Sequence, residues 1–336
     1  DLTGRRSRSM SPGRIETVPC AVVASHPHPR RPGAGSDAPT AGPSRRSVLR
    51  GGLGLGAATV GGILLGSCSS EADTRSADNL SSHALLAAFP QTLPHIPAGV
   101  PFRLPYLISD DDGVPLTTID GAVTFTVSRD GHELGTVRVE PHSDGVPRAY
   151  LPVGFTFPEP GRYDLTATYD GAPMSSTVEV VEPERVGPPV VGQKLPPVDS
   201  PTTERTLEVD PLCSRLKGPC PLHSVNLRDA VGLGKPIVVV IATPAYCSSD
   251  VCAPLLELVL EQTAGRDDLV VTHQEVYKNP KGQRDLSDAQ LAPVPDAYRL
   301  RFEPVLYVTD RTGTIVARAD ITVDRGELGE LLALAV

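Results

Sequence analysis

Between residues 89 and 183, apolar and polar residues alternate with the period of two that a half-buried β-strand shows. Val123, Phe125 and Val127 alternate with threonines, and Gly161–Gly171 repeats the alternation. Turn sequences rich in Asp, Gly and Pro separate these runs, so the segment predicts several short strands joined by tight turns. Such a series of strands predicts an all-β sandwich for residues 89–183.

After residue 200 the alternation gives way to longer apolar runs. Lys235–Thr243 is a continuous β-branched run, which is typical of a strand buried on both faces of a parallel sheet. The chain beyond it predicts a helix, a strand, a Pro-interrupted helical connection, a two-strand hairpin and a closing helix. These segments are Ala253–Gly265, Asp268–Tyr277, Ser287–Leu300, Glu303–Ile321 and Asp324–Val336. The order predicts an α/β domain with a mixed sheet over residues 201–336.

Two segments without either pattern connect these parts. Residues 68–88 are small and polar, so we expect a flexible tether. Residues 184–200 are rich in proline, which favours an extended and semi-rigid linker between the two domains.

The N-terminal residues 1–67 predict an export signal. Arg45 and Arg46 lie in a Ser-Arg-Arg-Ser-Val-Leu sequence that resembles the twin-arginine signal, and a Gly-rich apolar stretch, Gly51–Leu65, follows it. The Leu-Gly-Ser sequence before Cys68 resembles a lipobox, which implies that Cys68 is lipid-modified and becomes the first residue after processing. The alternative is a short membrane-spanning helix, but the many glycines make that a poor spanning segment. We therefore expect a lipid-anchored protein on the extracytoplasmic face of the membrane.

Charge excludes some classes of partner. Residues 1–67 hold nine of the 31 basic and three of the 40 acidic side chains, so the remainder carries a formal charge of −15. A surface that acidic argues against nucleic acid and against electrostatic binding to anionic lipid. Membrane contact is therefore expected to come from the lipid on Cys68.

Two cysteines, Cys247 and Cys252, stand at the junction of the first predicted strand and helix of the α/β domain. With Ile237–Pro254 and the later Arg301–Gly313, this arrangement over roughly residues 188–336 resembles the thioredoxin fold, in its redoxin and membrane-anchored branches. The resemblance implies that Pro304 is a cis-proline beside the cysteines. The run Pro158–Gly171 similarly resembles the late strands of immunoglobulin-like domains, without their cysteine pair or tryptophan.

The thioredoxin resemblance implies thiol–disulfide exchange on exported cysteine-containing proteins, with a membrane electron donor as another possible partner. A cysteine at a helix N-terminus is favoured as thiolate, so Cys247 is the expected nucleophile and Cys252 the resolving thiol. The sequence departs from thioredoxin in its four-residue gap between the cysteines and in Ile241, where thioredoxin has a buried acid. Asp250 within the gap opposes thiolate formation. Two cysteines five residues apart in an unbroken helix are too far apart for a disulfide. We therefore expect either that Cys247 lies on the preceding loop, or that the first helical turn unwinds on oxidation.

Two other families have a comparable cysteine spacing. Bacterioferritin-comigratory peroxiredoxins need Thr or Ser three residues before the reactive cysteine and Pro seven before it. For Cys247 these positions hold Pro244 and Val240, and for Cys252 they hold Ser249 and Ala245. Peroxidase activity is therefore the weaker alternative. Sco copper chaperones have a shorter gap and a later histidine as ligand. The only histidine after the pair is His273, which is expected on a strand.

A non-enzymatic interpretation also stays open, in which a thioredoxin-like lipoprotein binds a partner and all four cysteines form structural disulfides. A structural disulfide is also expected between Cys213 and Cys220, whose intervening Gly-Pro suits a closed loop. The alternative is that this pair relays electrons to Cys247 and Cys252. Cys220 and His223 form a Cys-x-x-His fragment, but local spacing supplies no further zinc ligands. We therefore expect neither a metal nor a cofactor. The histidines at 83, 95, 132 and 142 are expected to be solvated.

Overall fold

The computed structural model describes residues 82–283, 285–287 and 289–336. These residues form mostly β-sheet with few helices. Arg45, Arg46 and Cys68, on which the export and lipidation predictions depend, lie outside the described residues. In the part of the chain that is described, no helix has the length and apolarity needed to cross a membrane.

The first part of the structure, which we call the β domain, contains eight strands in two sheets. Strand order is β1-β3-β6 in the three-stranded sheet and β2-β8-β7-β4-β5 in the five-stranded sheet. In chain order the strands are β1 (Ala84–Ala87), β2 (Ile96–Pro97), β3 (Pro101–Ser109), β4 (Val123–Arg129), β5 (His132–Val139), β6 (Leu151–Thr156), β7 (Gly161–Tyr169) and β8 (Ala172–Val181). The two sheets enclose one apolar core, as the sandwich prediction requires.

Alternation along the strands decides which residues enter this core. On β7, Tyr163, Leu165 and Ala167 are buried, while the intervening residues are exposed. The same holds on β4, where Val123 and Phe125 are buried around an exposed Thr124. Because successive side chains on a strand point to opposite faces, this pattern leaves one face of the sheet for solvent.

The second part, which we call the C-terminal domain, contains a four-stranded mixed sheet. Its elements are α1 (Leu227–Ala230), β9 (Ile237–Ile241), α2 (Cys252–Gln262), β10 (Val270–Gln274), α3 (Pro293–Ala297), β11 (Val305–Thr309), β12 (Ile315–Asp320) and α4 (Arg325–Ala333). The strand order is β10-β9-β11-β12, with β9 and β10 parallel and the other neighbouring pairs antiparallel. The predicted order of strands and helices is therefore present in this part of the chain.

The central strand β9 is buried on both faces, and each face packs against different helices. Val238 and Val240 lie in an apolar cluster with the helices α2 and α4. Val239 and Ile241 lie in a second cluster with α1 and α3. Helices on both faces explain why the strand is a continuous β-branched run with no polar alternation.

Both predicted connecting segments are more ordered than expected. Ala84–Ala87, placed in the tether, forms β1 and pairs antiparallel with Tyr106–Ser109 of β3. In the Pro-rich linker, Val190 and Leu195 are buried, and the N–H of Leu195 donates to the carbonyl of Gly313 in the β11–β12 turn. The linker is therefore not a solvated spacer: Leu195 packs into the core of the C-terminal domain, and Val190 packs with Val181 and Val186 in a separate small cluster.

Polar side chains buried between the two domains join them. Arg103 of β3 is almost fully buried and forms an ion pair with Glu327 of α4. Tyr150 donates to Glu327 at 2.6 Å, and its oxygen accepts the N–H of Asp324 at 2.8 Å. A buried charge is tolerated only when it is paired and hydrogen-bonded, and this network meets that condition for both charges.

Two histidines that were expected to be solvated belong to this interface. His142 Nδ1 lies 2.8 Å from Asp324 Oδ1. Burial lowers the pKa of His142, but the hydrogen bond to Asp324 and the charge of Glu327 outweigh it, so the net pKa is raised. His95 is buried, with Nε2 3.5 Å from Asp320, and burial lowers its pKa. The expectation was wrong for both, because an interface between domains leaves no local sequence signal.

Candidate functional site

Cys247 and Cys252 form a disulfide at the start of α2, with their Cα atoms 6.3 Å apart. The helix begins at Cys252, so Cys247 lies on the loop before it, as the disulfide geometry requires. A turn sets the position of Cys247, because its N–H and that of Tyr246 both donate to the carbonyl of Thr243. This turn reverses the chain directly after β9 and brings the first sulfur back to the helix N-terminus.

The two sulfurs differ in access. Cys247 is partly exposed, whereas Cys252 has no exposed surface and lies in the core cluster beneath α2. The hydroxyl of Ser249 lies 3.2 Å from the Cys247 sulfur and can donate to it. A reagent or client protein can therefore approach Cys247 but not Cys252.

A buried acid lies next to Cys252, although the sequence has Ile241 at the position where thioredoxin has its buried acid. It is Glu303, whose Oε2 is 3.5 Å from the Cys252 sulfur and accepts the N–H of Thr243 at 2.6 Å. Burial raises the pKa of Glu303 to about 8, against the lowering effect of the Thr243 N–H, while the charge of Glu275 adds to the rise. The acid lies in the bend just before a later strand, β11, so aligning β9 alone could not reveal it.

Pro304 follows Glu303, and the peptide bond between them is cis. This places Pro304 beside the cysteines through its neighbour, whose side chain contacts Cys252. Pro304 is buried, and its carbonyl accepts the N–H of Ile321 at 2.6 Å. The surface that a client could reach is therefore formed by the loop around Cys247 and not by the proline ring.

The β domain contacts the loop between the two cysteines. Arg148 forms an ion pair with Asp250, with Nη1 2.5 Å from Oδ2. Val251 packs with Ala88 and Ile321 in a small apolar cluster that joins the two domains. Arg148 thus partly neutralises the one carboxylate within the loop, and the β domain supports the loop from one side.

The expected disulfide between Cys213 and Cys220 is absent, because both are free thiols. Both are buried, and each sulfur faces the imidazole of His273 instead, at 3.7 Å and 3.5 Å. The hydrogen bond with Cys220 lowers the pKa of Cys213, and the same bond raises the pKa of Cys220. The prediction was wrong because the sequence shows the loop but not the side chains that enter it.

His223 completes this second group, which we call the Cys–His cluster (Cys213, Cys220, His223 and His273). The ring atoms His223 Nε2 and His273 Nδ1 are 3.1 Å apart, and the four ligand atoms all lie within 4.8 Å of one another. His273 was considered only as a partner for Cys247 and Cys252. The sequence shows only that Thr272–Glu275 is a polar run, and the structure shows that every residue in it is buried.

A surface cleft of about 380 Å³ is lined by Ala253 and Pro254, which directly follow Cys252 in sequence. Pro244 and the largely exposed Leu216 line it as well. The loop that carries Leu216 is fixed to α2, because Arg215 donates to Glu257 at 2.7 Å and 3.0 Å.

Comparisons with known proteins give no family. No protein-family model matches the chain, and no curated protein matches it. An engineered protein of known structure is similar over 29% of this chain and 19% of its own, with 19% identity and a TM-score of 0.21. A superoxide reductase from Ignicoccus hospitalis is similar over 30% of this chain and 83% of its own, with 13% identity and a TM-score of 0.21.

The CARDB domain of a Pyrococcus furiosus protein is similar over 30% of this chain and 92% of its own, with 14% identity and a TM-score of 0.19. Similarities at TM-scores this low carry no weight for fold or function.

Proposed function

We propose that this protein is a thiol–disulfide oxidoreductase that exchanges disulfides with exported proteins through Cys247 and Cys252. One observation carries the proposal. The two cysteines are bonded at a helix N-terminus, with one sulfur accessible and the other buried 3.5 Å from a carboxyl group. A structural disulfide needs neither the difference in access nor the adjacent acid.

The exchange proceeds in two steps that balance. In the reduced protein, the Cys247 thiolate attacks one sulfur of a client disulfide, which forms a mixed disulfide and releases the client's first thiolate. Cys252 then loses its proton and attacks the Cys247 sulfur, which releases the second client thiolate and leaves the Cys247–Cys252 disulfide. Two electrons pass from the protein to the client, and the reverse sequence oxidises a client dithiol.

Glu303 is the proton acceptor for the second step. Cys252 has no access to solvent, so its proton must leave through a neighbouring group. A carboxyl with a pKa of about 8 is close to the pKa of an ordinary thiol, about 8.5, and such a match favours proton transfer in both directions. The role that thioredoxin gives to an acid on its first strand therefore passes here to the residue before the cis-proline.

The thioredoxin-like assignment of the C-terminal domain is part of the same proposal. It is supported by a β9–α2–β10 unit with parallel strands, a β11–β12 hairpin, and Pro304 directly before β11. Export through Arg45 and Arg46, and lipid anchoring through Cys68, are parts of the proposal that come from the sequence. On this proposal the exchange takes place outside the cytoplasm. Its partners are exported cysteine-containing proteins or a membrane electron donor.

One observation disfavours copper at this pair. The carboxylate of Glu303 lies near the sulfurs of Cys247 and Cys252, whereas His273 lies near Cys213 and Cys220. Copper chaperones of the Sco type use a histidine at that position, as noted for the sequence.

Insulin-disulfide reduction by the full chain with an added thiol reductant tests the proposal. We expect Cys247→Ser to abolish turnover, and Cys252→Ser to accumulate a mixed disulfide with the client that acid quenching and mass spectrometry detect. Reduction of insulin at the wild-type rate by Cys247→Ser would contradict the assignment of the nucleophile. Alkylation after mild reduction separates the non-enzymatic alternative, in which the Cys247–Cys252 disulfide resists opening.

The direction of exchange follows from the reduction potential of the same pair. A value near about −270 mV, as in thioredoxin, corresponds to a reductant, and a value near about −120 mV corresponds to an oxidant.

A further inference from the structure

Four side chains that ligate metals meet in the interior of the C-terminal domain. Cys213, Cys220 and His223 come from the long loop before α1, and His273 comes from β10. All four are buried, and none belongs to the Cys247–Cys252 pair. Two free thiols and two imidazoles at one buried point are not needed to fill a core, where apolar residues pack at lower cost.

The distances match the edges of a tetrahedral zinc site. Zn–S bonds of about 2.3 Å and Zn–N bonds of about 2.0 Å at tetrahedral angles separate sulfur from nitrogen by about 3.5 Å, and nitrogen from nitrogen by about 3.3 Å. His273 Nδ1 lies 3.7 Å and 3.5 Å from the sulfurs of Cys213 and Cys220, and 3.1 Å from His223 Nε2.

Hydrogen bonds orient His273 as a ligand. Its Nε2 lies 2.9 Å from the carbonyl oxygen of Ala242, which can only accept, so the ring proton is on Nε2. The lone pair of Nδ1 therefore points to the cluster. Glu275 lies 3.8 Å from the same Nε2 and is itself held by the N–H of Ser214 at 2.6 Å. A carbonyl or carboxylate behind a ligating histidine is the usual outer shell of a metal site.

The Cys213 sulfur also accepts a hydrogen bond from the backbone. The backbone N–H of Cys220 donates to it at 3.3 Å, which stabilises the thiolate form that metals bind. Two thiolates, two neutral imidazoles and a divalent cation sum to no net charge, so the site can be buried without an unpaired charge.

We propose that Cys213, Cys220, His223 and His273 bind one Zn²⁺ in a closed tetrahedral site. The Cys₂His₂ set is a zinc set, and four protein ligands leave no position for water or substrate, so the metal is structural and not catalytic. This proposal departs from the expectation, drawn from the sequence, that the chain has no metal. Its failure would leave the exchange proposal intact, because the two sites share no ligand.

Zinc at this position would hold the segment Ala242–Ala245, which leads to Cys247. The outer-shell Ala242 directly precedes Thr243, whose N–H bonds Glu303. Ser214, next to Cys213, accepts the N–H of Ala245 at 3.3 Å. The metal would therefore hold the 213–223 loop against the segment that leads to Cys247.

The test is metal reconstitution of the full chain, reduced and handled without oxygen, with Zn²⁺ alone. We expect about one tightly bound zinc per chain, and an X-ray absorption spectrum with two sulfurs at about 2.3 Å and two nitrogens at about 2.0 Å. Cys220→Ser and His273→Ala should lose the bound zinc. The matched controls Cys247→Ser and His132→Ala should keep it, since His132 is on an exposed position of β5.

A measurement without substitutions covers the case in which a ligand variant does not fold. In the zinc-loaded wild-type chain, alkylation of Cys213 and Cys220 should speed up at least tenfold when a strong chelator is added. The proposal is overturned if the reduced chain takes up no zinc, if the bound metal has no sulfur ligands, or if Cys247→Ser removes the zinc. Unchanged alkylation of Cys213 and Cys220 with the chelator would overturn it as well.

Discussion

The C-terminal domain holds two pairs of cysteines in one apolar cluster, yet the pairs differ in state. Cys247 and Cys252 form a disulfide with a carboxyl group as neighbour. Cys213 and Cys220 remain free thiols with imidazoles as neighbours. A carboxyl group that takes up a proton assists a thiol that must react, whereas an imidazole lone pair completes a ligand set. The two proposals therefore separate the pairs by their neighbouring side chains and not by their cysteine spacing.

The largest expected effect is a loss of folding stability when the Cys–His cluster loses a ligand. In the zinc-loaded chain, His273→Ala should lower the free energy of unfolding by several kcal/mol, because a ligand held at 1,000 times its dissociation constant stabilises the fold by about 4 kcal/mol. Denaturant unfolding of both proteins, with zinc and with chelator, measures the effect.

The control for that experiment is His132→Ala, which should change stability by less than about 0.5 kcal/mol as an exposed substitution. The loss caused by His273→Ala should be smaller in chelator than in zinc. Equal losses in the two conditions would mean that His273 only packs, and would remove the distinction between the two cysteine pairs.

Glu303→Gln tests the carboxyl group, which the Cys247–Cys252 pair has as a neighbour and the Cys–His cluster does not. Without a proton acceptor, resolution of the mixed disulfide should slow by about 100-fold, the lower range for a general base. Stopped-flow mixing of the reduced chain with a chromogenic disulfide should show a normal first step and an accumulated intermediate. A resolution rate equal to that of the wild type would exclude Glu303 from the proton path.

The same carboxyl group predicts a pH dependence of stability. Its pKa is raised from 4.5 to about 8 in the folded chain, so the folded state holds this proton more tightly than the unfolded state does. Its contribution is therefore fully present below pH 4.5, and it is lost as pH rises to about 8. The slope is at most about 1.4 kcal/mol per pH unit, and Glu303→Gln should remove it. Urea unfolding at pH 5 to 9 measures both proteins, and an equal slope would contradict the assigned pKa.

The smallest effect is expected for a substitution of Asp250, the carboxylate between Cys247 and Cys252. Asp250→Asn should raise the rate at which Cys247 is alkylated at neutral pH by less than about fivefold. The pairing with Arg148 already offsets the charge, and an exposed ion pair contributes at most about 1 kcal/mol. Asp268→Asn is a matched control, since Asp268 also pairs with an exposed arginine but lies far along the chain. A decrease for Asp250→Asn would mean that the carboxylate activates Cys247.

Much of the fold could be predicted from local patterns. The alternation around Phe125 and Leu165 indicated half-buried strands, and the continuous run Ile237–Ile241 indicated a strand covered on both faces. The reach of a disulfide across five residues left two positions for Cys247, on the loop or in an unwound helical turn, and the structure has it on the loop. Each of these depends on residues close in sequence, where the period and the chain geometry decide the outcome.

The sequence by itself thus determined the alternating strands of the β domain, the order of elements from β9 to α4, and the placing of Cys247 and Cys252 at a strand–helix junction. Only the tertiary structure decided that Glu303 lies beside Cys252 and that His273 faces Cys213. The physical reason is the pairing of distant strands: β9 lies between β10 and β11, so residues 273 and 303 come to the same end of the sheet as residue 242. The choice and register of strand partners depend on the burial of the whole sheet, which no local spacing records.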